Sequence, residues 1–264
     1  MVSRRVFKQA SVVAAGLILL FAVLTGLFFL VVHPRSSSVA TPSPSPSFAP
    51  ITVEKVYVIP HAPATPIDPS TVDIVAQVRN SNPTVGVAQY PVTFIVHDKS
   101  GNVVATDQET TYMLPSSLRY IAAFNVTAGR GSLGNVEVQL PQAPVYTAVP
   151  NGIKMPEFNV FLKDISRHAL GSKQIEDQRG IIRNVGTLDW ERVEVTAVAL
   201  SADNQVIGVG KTFVGALKNT EEREFSLQWP VPSVPTSRVI AIPSTNIFAE
   251  DNFRSVIGDP NSLR

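Results

Sequence analysis

Hydrophobic positions fall into two regimes along this chain. From Val12 to Val32 the run VVAAGLILLFAVLTGLFFLVV is apolar on every face. Its roughly 21 residues, at 1.5 Å of rise each, would span about 32 Å, close to the roughly 30 Å hydrocarbon core of a bilayer. That run predicts one transmembrane helix. Beyond residue 50 the period becomes two. Val72, Ile74, Ala76 and Val78 point one way along a strand, while Asp73, Val75, Gln77 and Arg79 point the other. Val193, Val195, Ala197 and Ala199 alternate with Glu194, Thr196 and Val198 in the same manner. No amphipathic helix stands ready to cover the apolar faces, so sheet must pack on sheet.

The strand pattern occurs twice, with a period of about 104 residues. VDIVAQVRN ends at Arg79-Asn80, and DQRGIIRN ends at Arg183-Asn184. The turns Lys99-Ser100-Gly101-Asn102 and Ala202-Asp203-Asn204-Gln205 follow at matching places, and Phe124 corresponds to Phe225. The expected fold is all-β: two tandem immunoglobulin-like β-sandwiches after an N-terminal transmembrane helix. The segments are a basic tail at 1–11, the helix at 12–32, a Pro/Ser-rich tether at 33–50, sandwiches at 51–149 and 154–249, and a tail at 250–264. Pro150-Asn151-Gly152 marks the junction between the sandwiches. Alternating Pro and Ser make the tether extended and solvated.

Charge sets the expected orientation. Arg4, Arg5 and Lys8 precede the apolar run and Arg35 follows it, which places the N-terminus in the cytoplasm and the strands outside. Ser38-Val39-Ala40 has the form of a processing site, but the run is longer than a signal peptide needs. The 264 residues carry a net charge of +1 with 16% charged residues, so no basic field suggests nucleic acid. Cysteine is absent, which removes disulfides, thiolate metal sites and cysteine nucleophiles. The 21 prolines, with abundant Val, Thr and Ser, suit short strands and turns.

Candidate chemistry is sparse. Gly208-Val209-Gly210-Lys211-Thr212 imitates part of a phosphate-binding loop, but Gln205 stands where such a loop needs glycine. Nucleotide binding is not expected, and the adjacent glycines suggest close sheet packing. His33, His61, His97 and His168 lack ligand spacing. Glu221, Glu222 and Glu224 form an acidic run read as a solvated edge. No cofactor is implied. Trp190 and Trp229, with Tyr112 and Tyr120, are the candidate binding surface; the competing and favoured reading has each tryptophan close an end of its sandwich or pack at the domain junction.

Phe94-Ile95-Val96-His97-Asp98, followed by Lys99-Ser100-Gly101 and preceded by the Arg79-Asn80-Ser81 turn, resembles the signature of the FxLYD-type bacterial envelope modules. Leu114 and Phe124 extend the likeness. The second copy departs from it at Ala197 and Ser201. The resemblance implies an exported β-sandwich without a shared catalytic role. Taken with the anchor, it suggests a membrane-anchored, extracytoplasmic, non-catalytic scaffold or adaptor. Its partners would be the bilayer, through 12–32, and cell-envelope proteins. The alternative is an envelope glycan-binding module, which requires the four aromatics on one exposed patch.

Overall fold

The computed structural model describes residues 48–61, 71–127, 133–171 and 173–255. These belong to the unit Phe48–Arg264. Lobe 1 holds β1 (Thr52–Pro60), β2 (Thr71–Asn80), β3 (Val85–Asp98), β4 (Val103–Met113), β5 (Ser117–Thr127), β6 (Leu133–Gln139) and β7 (Thr147–Ala148). Lobe 2 holds β8 (Phe158–Leu170), β9 (Lys173–Asn184), β10 (Leu188–Leu200), β11 (Val206–Leu217), β12 (Glu222–Pro230), β13 (Arg238–Ser244) and β14 (Phe253–Ser255).

Both lobes use one antiparallel plan. Sheets β1-β2-β5 and β4-β3-β6 make lobe 1, with β7 beside the start of β3. Sheets β8-β9-β12 and β11-β10-β13 make lobe 2, with β14 beside the start of β10. Strand β14 lies in the segment 250–264 that the pattern assigned to a tail.

The fold class expected from the sequence needs correcting. Among the described residues no helix is long and apolar enough to cross a membrane, and the helix present is the short 3-10 turn Glu250–Asn252. The predicted span 12–32 and the tail at 1–11 lie outside the described residues, as does nearly all of the tether at 33–50. The described fold is therefore all-β with four sheets and no membrane-spanning helix. The bilayer partner, the single-pass topology and the membrane-anchored function have no structural support.

Alternation explains the cores. Ile74, Ala76 and Val78 of one sheet meet Val92, Phe94 and Val96 of the other inside lobe 1. Val193, Val195, Ala197 and Ala199 meet Ile182, Leu227 and Trp229 inside lobe 2. A third apolar cluster joins the lobes. Val75 and Ala122, on the outer face of β1-β2-β5, pack with Val198, Leu200 and Val209 on the outer face of β11-β10-β13. The lobes thus share a packed apolar joint.

Turns and pins repeat as well. Asp98 Oδ1 accepts the amides of Ser100 (2.8 Å) and Asn102 (2.9 Å), while Gly101 adopts φ +85°. The Asn102 side chain and these amides hold the Asp98 carboxyl below its usual range. In lobe 2, Ser201 Oγ receives the Gln205 amide at 3.2 Å.

Asn80 and Asn184 end the second strand of each lobe, and both are fully buried. Asn80 Nδ2 donates to the carbonyls of Val85 and Leu114, each at 2.9 Å. Asn184 Nδ2 donates to Leu188 (2.7 Å) and Leu217 (3.3 Å). Their Oδ1 atoms accept the amides of Asn82 and Gly186 respectively. One side chain thereby fastens a turn to the far end of another strand.

Candidate inter-lobe binding groove

The four aromatics named from the sequence do not form a surface patch. Trp229 is 1% exposed and Trp190 is 2% exposed, both inside lobe 2. Trp190 meets the Phe253 ring edge-on at 6.1 Å. Tyr112 is buried between the lobes, and Tyr120 lies half-buried against the third cluster. The reason is area: indole and phenol rings bury more apolar surface than most side chains, and these strands turn them inward.

Trp229 illustrates the pull of the interior. Its Nε1–H donates to Glu176 Oε2 at 2.9 Å, and Thr236 Oγ1 donates to the same oxygen at 2.7 Å. Arg167 donates twice to Glu176 Oε1, at 3.0 and 2.6 Å. Gly208 and Gly210 lie beneath the Trp229 ring; a Cβ on Gly208 would stand 2.7 Å from Trp229 Cδ1. The glycines of the GVGKT segment thus make room for an indole.

Burial alone would raise the Glu176 carboxyl, but hydrogen bonds from Thr236, Trp229 and Arg167 outweigh it and hold the group below its ordinary value. A depressed folded pKa stabilises the fold above the ordinary carboxylate range and stops doing so as pH falls through the folded value. Glu176→Gln should cost about 2 kcal/mol at pH 7, the scale of hydrogen bonds to a charged group. Paired thermal melts should show that difference shrinking in acid. A gap of constant size from pH 7 down to pH 3 would refute the assignment.

Polar groups converge instead between the lobes. Arg119 Nη2 meets Glu194 Oε1 at 2.5 Å, and Nη1 donates to Ser244 Oγ at 2.6 Å. The Tyr112 hydroxyl also donates to Ser244 Oγ at 2.9 Å, with the Arg119 guanidinium 4.0 Å above its ring centroid. Burial pushes the Tyr112 hydroxyl pKa up. Beside this network opens a groove of about 770 Å³. Glu109–Tyr112 of β4 line one wall, and Lys211 and Phe213 of β11 line the other. Arg192, Asn246 and Asn252 close the end. Lys211 Nζ reaches Glu109 Oε2 at 3.5 Å, and the Arg192 guanidinium lies 3.7 Å from the Phe213 ring centroid.

Among the described residues no group of three or more His, Asp or Glu side chains is placed to hold a metal ion. His61 Nε2 faces Asp73 Oδ2 at 2.9 Å, while His97 Nδ1 lies 3.2 Å from the Gly101 carbonyl in a different part of lobe 1. Glu221 closes its own turn by accepting the Lys218 amide at 2.8 Å. Glu222 and Glu224 pair with Arg183 and Lys163 across the sheet.

Sequence reasoning missed Arg192, Phe213, Lys211 and Glu109. One signal was available: Phe213 shares a strand face with Lys211, an aromatic ring in a polar row. No family model matches the chain, and no curated protein matches it.

Proposed function

We propose that the two-lobed body is a non-catalytic binding module that receives an extended polypeptide in the groove between its lobes. The observation that carries this reading is the pair of groove walls. Strands β4 and β11 are both sheet edges, each with a single strand neighbour. An edge strand offers main-chain donors and acceptors to an incoming extended segment, and side chains along the groove add selectivity. A volume of about 770 Å³ is within the range of binding clefts and accommodates a few residues of peptide. Because the third apolar cluster fuses the lobes, the walls are fixed before any ligand arrives, which lowers the ordering cost of binding.

The non-catalytic part of the reading rests on how the charges are used. Glu194 is committed to Arg119 and Glu109 to Lys211, so these carboxylates serve the joint and the wall.

Hydrogen–deuterium exchange on the full chain, with and without a pool of random heptapeptides, tests the proposal. Added protection is expected at Glu109–Met113 and Lys211–Gly215. Protection confined to another edge, such as β8, or none at all, would overturn it.

A further inference from the structure

We infer that the groove selects a segment bearing one carboxylate, gripped by the guanidinium of Arg192; this rests on the polypeptide-binding reading above. Two basic side chains, Arg192 and Lys211, line the groove, and Arg119 lies beside it. Lys211 is met by Glu109, and Arg119 by Glu194. Arg192 differs: its guanidinium has the Phe213 ring as its contact, and no carboxylate among the described residues lies within ion-pair distance of it.

The side chain is also held for the task. The Arg192 amide donates to Asn252 Oδ1 at 2.9 Å, and its carbonyl accepts the Thr245 hydroxyl at 2.7 Å. Main-chain anchoring fixes where the stem leaves β10, and the Phe213 ring, its centroid 3.7 Å from the guanidinium carbon, supports the fork from one side. The N–H groups directed away from the ring stay open to a ligand. That planar array matches the two oxygens of a carboxylate, which an ammonium cannot do. Phe213 is 45% exposed, so the pair stands at the groove rim within a ligand's reach. Asp251 shares the groove lining and would repel a strongly acidic run, which limits the ligand to a single acid.

An array of N-acetylated, C-amidated heptapeptides probed with the full chain tests the inference. The tightest binders should carry Asp or Glu at one position, and exchange for Asn or Gln should weaken them about tenfold. Arg192→Gln should retain binding but lose that discrimination, and Arg192→Lys should retain only part of it. Matching thermal melts for wild type and Arg192→Gln would show that the variant is folded. If peptides bind the groove without preferring an acid, or if the preference survives in Arg192→Gln, the carboxylate inference fails alone. Phosphoserine outperforming glutamate at the selected position would also overturn it. If no peptide binds, the groove reading itself fails.

Discussion

Asn184→Ala is expected to lose about 4 kcal/mol of folding stability, far above an ordinary point substitution. Its side chain is fully buried and satisfies three main-chain groups: the Leu188 carbonyl, the Leu217 carbonyl and the Gly186 amide. Truncation strands all three where water cannot replace the lost partner, at roughly 1–3 kcal/mol each before relaxation. Asn184→Asp is the sharper control. It keeps the shape and the acceptor for Gly186 but turns a donor into a negative charge facing two carbonyl oxygens, so it should be at least as damaging. Guanidinium unfolding followed by tryptophan fluorescence suits the test, because Trp190 and Trp229 both report on lobe 2. A shift of the midpoint at constant slope gives the loss directly. A loss below about 1 kcal/mol would show that the pin is dispensable.

Arg119→Met should cost about 3–5 kcal/mol, and the loss should fall on the coupling between lobes. The substitution keeps much of the apolar stem but leaves Glu194 partly buried without its cation and removes a donor from Ser244. Breaking one half of such a pair is more harmful than replacing both halves. In an Arg119→Met background, Glu194→Gln should therefore cost less than it does in the wild type, a coupling measurable as a double-mutant cycle. Calorimetry should show one transition for the wild type and a broadened or divided one for Arg119→Met. Additive single effects with an unchanged transition would mean that the third apolar cluster alone joins the lobes.

The sequence made the strand faces legible where alternation is regular. Ile74, Ala76 and Val78 in lobe 1, and Val193, Val195 and Ala197 in lobe 2, line the cores that their period implies. Phe225, Leu227 and Trp229 share one face, so alternation already argued for a buried Trp229. Trp190 was harder. It and Val193 are both in the core although three residues apart, so alternation slips between them. On the paired strand, Ala216 takes φ +48° and Leu217 turns inward opposite Trp190. Nothing in the local residue pattern announces that irregularity.

The Arg-Asn pairs were visible as landmarks, yet their task depends on Leu114 and Leu217, more than 30 residues further on. The lobe-to-lobe cluster had a sign in Val75 and Val198, apolar side chains on nominally polar faces. A lone valine on such a face is compatible with solvent, and only the fold brings the two together. Apart from the aromatic ring of Phe213 in a polar row, the groove was not legible, because Glu109, Arg192 and Lys211 meet across separate strands of two lobes.

The join between the lobes uses unlike faces, the β1-β2-β5 sheet of one repeat against the β11-β10-β13 sheet of the next. A contact of that kind is heterologous and, repeated, would build an open-ended stack. The residues at the two free faces oppose such growth. Arg179 and Ser226 pair in lobe 2 where Val75 and Ala122 pair in lobe 1, and all of the exposed side of this couple is polar. Glu137 faces Ile95 in lobe 1 where Ile240 faces Val198 in lobe 2. The polar couples remove part of each counterpart patch, while on the outer face of lobe 2 Phe161 stays 57% exposed opposite Ile181.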